Sequence, residues 1–283
     1  MINLLRITHY TIFRVIQVIS LERMMNTLSI LSVNVFGFQK LRDADIRNLE
    51  DNEAKKTIFH EIIMKYNPDL LFLQEDIYIL GKCQYPPKYH KIVGQPTNEG
   101  LMNTILIRED LLDYVYSPHT QQLATNSCLE NQRCASTIMY KNFYICNLHL
   151  SGGRVDDAYF KKIVYLRDEQ VRPYVNCDIL AGDWNSNPND DKVPVTHPVF
   201  LSANAEDKDM FITYFKSGHR QLLEKGMVEV LVDQPTDIFG GNPDHIYYDP
   251  KKFCIIEAKV IDMITSDLSD HNGIFVVLGI LNE

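Results

Sequence analysis

The sequence predicts an α/β fold. Two observations carry the prediction: a strand–helix–strand order over residues 28–74, and a later series of short apolar runs with turn residues between them. A third gives it direction, because nearly every apolar run ends in a polar residue able to do chemistry.

The first run, Leu28 to Val35, alternates and then becomes continuously apolar, as a buried strand does, and Gly37 ends it. Residues 52–66 place Ala54, Ile58, Phe59, Ile62, Ile63 and Tyr66 on one helical face, with Asp51 or Asn52 as cap and Asn67-Pro68 as stop. Asp69 to Gln74 is a continuous apolar strand. Residues 102–107, 134–140 and 143–149 read as strands, the last two separated by the short Lys141-Asn142 turn. A helix is expected from Asp156-Asp157 to about Tyr174, followed by a short buried strand over Asp178 to Ala181. Residues 186–243 are rich in polar residues, proline and glycine, which predicts long loops with helical fragments around 207–225. Strand-like runs near 245–248, 254–261 and 274–281 complete the pattern.

The chain has 283 residues, enough for a substantial core, and no internal repeat, low-complexity tract or linker divides it. The net charge of −9 argues against a protein that binds nucleic acid through a generally basic surface, although a local basic groove is compatible with it. Six cysteines (Cys83, Cys128, Cys134, Cys146, Cys177, Cys254) form no C-x-x-C pair. They read as free thiols of a reducing, intracellular compartment, cytoplasmic or nuclear, rather than a zinc site. No stretch reaches the roughly 18 apolar residues of a membrane-spanning helix. Residues 1–25 read as an N-terminal extension ahead of a catalytic unit over 26–283, with Met24 or Met25 as an alternative start. Ile12, Val15, Ile16 and Ile19 at helical spacing, among Arg6, Arg14 and Arg23, also suit a basic targeting helix or one making weak membrane contact.

Six islands carry the chemistry. They are Asn34 in Ser-Val-Asn-Val-Phe-Gly, Glu75 in Leu-Phe-Leu-Gln-Glu, and His149 in Asn-Leu-His-Leu. Asp183 and Asn185 follow in Gly-Asp-Trp-Asn, then Asp244 in Asp-His-Ile-Tyr-Tyr, and Asp270-His271 in Ser-Asp-His-Asn-Gly. Cleaving a phosphoester with a metal needs carboxylates for the cation, donors for the developing charge and a base for water. The set holds all three. Each residue also has a plain structural reading: a turn amide for Asn34, an Asx-turn for Asp183–Asn185, a strand histidine for His149.

In this order the islands resemble the endonuclease/exonuclease/phosphatase superfamily with its deoxyribonuclease I-like fold, over roughly residues 28–281. The resemblance implies a four-layer αββα sandwich, two packed mixed β-sheets flanked by helices. It implies a magnesium-dependent phosphodiesterase, with manganese as the alternative ion, that uses an activated water. By resemblance Asn34, Glu75 and Asp270 hold the metal and Asp183 prepares the water. Asn185 and His149 stabilise the phosphorus centre, and Asp244 orients His271. Asn147, on the same strand face as His149, supports the site and is a substrate-binding candidate. Arg154, beside Gly152-Gly153, and Arg133 are phosphate-contact candidates that read equally as a helix-capping turn and a solvated arginine. His245 falls where the family often has a bulky residue and is not counted as catalytic.

One departure narrows the branch. Many DNA-repair members carry an acid two places after the first asparagine, where this chain has Phe36. The pattern is closer to the His-Leu-containing branch of tyrosyl-DNA phosphodiesterases, deadenylases and sphingomyelinase-like enzymes. The expected function is therefore a nuclease or DNA-end-processing enzyme, monomeric, acting on nucleic acid. A phospholipid or inositol-phosphate phosphodiesterase is the alternative within the class, and a catalytically silent binding module the alternative outside it. A two-carboxylate glycosidase leaves Gly-Asp-Trp-Asn and Ser-Asp-His unexplained.

Overall fold

The computed structural model describes residues 26–35, 49–76, 85–94, 102–123, 133–152, 165–186, 208–209, 213, 216–238 and 240–281. The expected N-terminal extension, Phe36, Gly153 and Arg154 lie outside the described residues.

The first sheet is built from β1 (Thr27–Asn34), β2 (Leu70–Asp76), β3 (Tyr89–Val93), β4 (Met102–Arg108), β11 (Phe253–Ile261) and β12 (Gly273–Ile280). The second contains β5 (Val115–Gln122), β6 (Cys134–Tyr140), β7 (Phe143–His149), β8 (Ile179–Asp183), β9 (Val228–Glu229) and β10 (Asp244–Tyr248). Their orders are β11-β12-β1-β2-β4-β3 and β5-β6-β7-β8-β10-β9. Each sheet is mixed and centres on one parallel pair, β1 with β2 and β7 with β8. A parallel pair needs a helical crossover. Helix α1 (Leu49–Tyr66) lies between β1 and β2, and the helical residues 165–171 lie between β7 and β8.

Three apolar clusters define the layers. Leu28, Ile30, Phe72, Ile105, Ile138, Ile145, Ile179, Ile246 and Val276 fill the space between the sheets. Leu31, Val33, Leu71 and Leu73 on the outer face of the first sheet meet Phe59 and Ile63 of α1. Cys146, Leu148, Leu180 and Tyr247 on the outer face of the second meet Val171, Tyr174 and Leu222, the last from α2 (Arg220–Glu224). This is the αββα sandwich.

Strand alternation then positions the site. Side chains two apart share a face, so the inward stripe of β1 runs Leu28, Ile30, Ser32, Asn34, and that of β2 runs Leu70, Phe72, Gln74. In β7 the stripe is Ile145, Asn147, His149; in β8, Ile179, Ala181, Asp183; in β10, Tyr248, Ile246, Asp244. All five change from apolar to polar at the same end of the sandwich, which the carboxyl ends of both parallel pairs share.

Just below that end, a buried amide layer ties the sheets together. Gln74 Nε2 of the first sheet donates to Asn147 Oδ1 of the second (2.7 Å) and to Ser32 Oγ (3.1 Å). Asn147 Nδ2 returns hydrogen bonds to Leu73 O (3.1 Å) and Thr104 O (3.0 Å). The Asn147 side chain, expected at the substrate, lies beneath this end with its amide engaged in joining the sheets.

Most strands lie where the hydrophobic pattern puts them, while α1 begins at Leu49, so Asp51 and Asn52 sit inside it instead of capping it. Its buried face is also narrower than the periodicity suggests, with Ala54 and Ile58 exposed. Asn67 closes the helix in a left-handed conformation (φ 45°), its N–H donating to Ile63 O (2.7 Å). Strands β3, β5 and β9 have no clear sequence signal. β5 is an edge strand exposed along most of its length, carries Pro118 and is irregular between Tyr116 and His119, so neither alternation nor propensity marks it.

The amide layer makes a direct prediction. Asn147→Leu leaves Gln74, Leu73 O and Thr104 O of the first sheet without their partner from the second and lowers unfolding free energy by about 2 kcal/mol or more. Urea unfolding of the two proteins measures it; an unchanged midpoint would show that the layer does not hold the sheets together.

Candidate active site

The second sheet sets three of the expected catalytic residues in one cross-strand row, His149 opposite Asp183 and Asp183 opposite Asp244. From the first sheet, Asn34 Nδ2 donates to Asp183 Oδ2 (2.8 Å) across the gap. Asp183 Oδ1 accepts the backbone N–H of Asn185 (2.8 Å), an Asx-turn. The local turn and the catalytic placement therefore coexist, the turn fixing both residues. The two hydrogen bonds and the imidazoles of His149 and His271 outweigh the upward push of burial and hold the Asp183 carboxyl below the usual carboxylate range.

Two backbone features aim this end of the sandwich. Glu75 follows inward-facing Gln74 and would face α1 by simple alternation, but the β2–β4 ladder is irregular between Leu73 and Asp76. Glu75 adopts φ 53° there, a conformation that costs a non-glycine residue about 1–2 kcal/mol. The bulge turns its carboxylate to the second sheet, with Oε1 at 3.2 Å from Arg133 Nη1 and 3.6 Å from His149 Nε2. Gly182 (φ 141°) precedes Asp183, and a Cβ there would meet Leu148 O at 1.8 Å. Only glycine lets β7 and β8 approach closely enough to align His149 with Asp183.

His271 and Asp270 come from the turn before β12. Ser269 Oγ donates to Asn34 O (2.6 Å) and accepts the His271 N–H (3.0 Å), which ties this turn to the end of β1. Nδ1 of His271 donates to Asp244 Oδ2 (2.8 Å). Burial works against a charged His271, but Asp244, Asp183 and Asp270 prevail and raise it to about 10. Burial pushes the Asp244 carboxyl up, and the His271 imidazolium draws it back. His149 shifts the other way. Burial and the neighbouring Arg133 guanidinium hold it well below the ordinary histidine range. Burial also raises Glu75, against the pull of Arg133.

The donors suit a hard cation. Glu75 Oε2, Asp244 Oδ1 and Asp270 Oδ1 are buried oxygens with no hydrogen-bond partner, which is costly unless something positive meets them. Asp183, Asp244 and His271 also each offer a ligand atom within 4.8 Å of one another. In that trio, however, His271 Nδ1 and Asp244 Oδ2 already bond each other.

The remaining expected residues sit as follows. Asn185 (φ 50°) is half-buried, and one amide N–H donates to Leu150 O (3.0 Å). Gly152 packs against this amide; a Cβ there would lie 2.5 Å from Asn185 Oδ1. Arg133, expected at a phosphate, is buried between Glu75 and His149, with Nη1 at 3.1 Å from His149 Nδ1. Sequence reasoning missed the brace behind the Asp183–Ser186 turn. Buried His219 stacks on Trp184 (centroids 4.8 Å apart) and links Ser186 Oγ (2.7 Å) to Tyr247 OH (2.6 Å). His245 Nε2 donates to Ser186 O (2.7 Å), and its Nδ1 meets Glu229 Oε1 (2.6 Å). Their positions in the chain mark no such role: His219 lies in a polar loop, and His245 reads only as the neighbour of Asp244.

Residues 31–271 match the model of the Endonuclease/Exonuclease/phosphatase family. The chain belongs to this family. It is accordingly a phosphoric ester hydrolase, on the DNase I-like sandwich that the islands led us to expect. A D. rerio TDP2 humanized by 14 mutations aligns with 89% of this chain and 98% of its own, at TM-score 0.55 and 17% identity. D. rerio TDP2 complexed with single strand DNA product gives 0.56 and 17% over the same shares. Truncated Caenorhabditis elegans TDP2 gives 0.55 and 16%, also over 89% and 98%. At such identities these likenesses establish the fold. No curated protein sequence matches the chain significantly. No helix among the described residues is long and apolar enough to cross a membrane.

The Asp244–His271 pair gives a pH prediction. A histidine raised from about 6.5 when unfolded to about 10 when folded stabilises fully below pH 6.5 and progressively less as pH rises to 10. In metal-free buffer, the stability difference between the wild type and His271→Asn should be constant at acidic pH and shrink steadily between pH 7 and 10. Denaturant unfolding across that range measures it, and a flat difference would count against the ion pair.

Proposed function

We propose that this hydrolase is a divalent-metal-dependent phosphodiesterase acting on nucleic acid, with magnesium or manganese as the ion. The observation that supports it most is the row His149–Asp183–Asp244, faced by Asn34 and Glu75 from the other sheet and completed by Asp270 and His271. For the substrate, support comes from the fold shared with D. rerio TDP2, which is described in complex with a single strand DNA product. Asn34, Glu75 and Asp270 would hold the cation, the unpartnered carboxylate oxygens of Glu75 and Asp270 being hard donors of the kind it requires. When bound, it would supply Lewis-acid polarisation of a phosphoryl oxygen.

The chain's own residues account for the rest. Asp183 is ionised at neutral pH and each of its oxygens retains a lone pair, so it can accept a proton from an attacking water. Asn185 keeps one amide N–H beyond its bond to Leu150 O, available to an equatorial phosphoryl oxygen. His271, charged and oriented through Nδ1 by Asp244, can place its Nε2–H on the leaving oxygen. We assign the catalytic unit to residues 26–283. The four described cysteines are free thiols, which supports a reducing, intracellular setting.

End-labelled single- and double-stranded DNA, incubated with magnesium or with EDTA, tests the reading. Cleavage should require the metal and fall about 100-fold or more in both Glu75→Ala and His271→Ala, each still folded by circular dichroism. Full activity in either variant would remove its residue from the mechanism. A folded, metal-binding protein that leaves DNA intact would redirect the search to phospholipid and inositol-phosphate esters.

A further inference from the structure

We infer that Arg133 is a positioning residue, locking His149 in the tautomer that carries its proton on Nε2 and presents that N–H to the substrate. Two independent contacts require this state. At Nδ1, the imidazole meets Arg133 Nη1 at 3.1 Å, and a guanidinium nitrogen can only donate. A proton on Nδ1 would set two donors against each other, so Nδ1 accepts. At the far side of the ring, Nε2 lies 3.6 Å from Glu75 Oε1 and 3.5 Å from Asp183 Oδ2. A bare Nε2 there would point a lone pair at two carboxylates; an N–H points a positive edge at both. Nε2 has no hydrogen-bond partner of its own, although it is buried and directed into the site, which leaves this donor for a ligand oxygen.

The same Nη1 reaches Glu75 Oε1 at 3.2 Å, so Arg133 holds its place by pairing with one site residue while it caps another. The two histidines of the site thus meet opposite partners at Nδ1: His149 faces a guanidinium that can only donate, whereas His271 faces the Asp244 carboxylate. An arginine used in this way is not a phosphate clamp. Its loss should slow turnover without weakening substrate capture.

The tautomer can be read directly from long-range proton–nitrogen NMR of the imidazole in the free protein, with the His149 signals assigned by their loss in His149→Asn. The wild type should show a protonated Nε2 and a bare Nδ1. Arg133→Met should give a mixed or reversed pattern, and Arg133→Lys, which keeps a donor, should restore the wild-type one. In turnover, Arg133→Met should lower kcat roughly 10–100-fold with KM within about twofold, and Arg133→Lys should recover most of the loss. A protonated Nδ1 in the wild type would overturn the inference, as would a rise in KM with the tautomer unchanged. Only the kinetic arm rests on the proposed phosphodiesterase activity. The NMR arm needs no substrate, so failure of one reading is distinguishable from failure of the other.

Discussion

The site depends on the separation and register of two sheets, and the buried bridge between Gln74 and Asn147 joins them directly beneath it, with Asn103 Nδ2 to Cys134 O and Ser136 Oγ to Asn103 O crossing the same gap. Asn34 and Glu75 belong to the first sheet, and His149, Asp183 and Asp244 to the second. None of the contacts between the two groups is covalent or local in sequence. An apolar interface alone would hold the sheets at about the right distance but would tolerate sliding, because apolar contacts are not directional. An amide that donates to Leu73 O and Thr104 O and accepts from Gln74 has one geometry that satisfies it. Placed one residue pair below the row His149–Asp183–Asp244, it carries that precision directly to Asp183 and its partner Asn34.

Above the bridge, electrostatics replaces packing as the organising influence. Glu75, Asp183, Asp244 and Asp270 gather at one end of the sandwich, and Arg133 and His271 offset part of their charge. Buried charges are tolerated when paired, and here pairing also sorts the imidazoles into a neutral donor and a charged one. Two residues of the site, Glu75 and Asn185, are held in left-handed backbone by the bulge and the Asx-turn around them. The carboxylate oxygens left without partners face the region where a hard cation would complete the balance.

Much of this was legible in the sequence, for reasons that also explain what was not. Strands β1, β2, β4, β6, β7, β8, β10 and β12 are buried on at least one face, and burial writes an apolar pattern into the chain. Strand β5 is mostly exposed and carries Pro118, and β9 has only two residues, so neither leaves such a mark. The polar ends of the strands announced Asn34, Glu75, His149, Asp183 and Asp244. Their pairing did not follow from spacing, since strand order and register belong to the sheet. That is why Arg133 read as a surface cation although it lies between Glu75 and His149, and why the brace of His219 and His245 on the Asp183–Ser186 turn went unseen.

Under the proposed function, this end of the sandwich binds a divalent cation through Glu75. Calorimetric titration of magnesium and manganese into the wild type and into Glu75→Gln tests it most directly, because the substitution keeps the shape and removes the charge. The wild type should bind saturably, and the variant about tenfold or more weakly. Equal affinity in the two proteins, or no binding by the wild type, would contradict it.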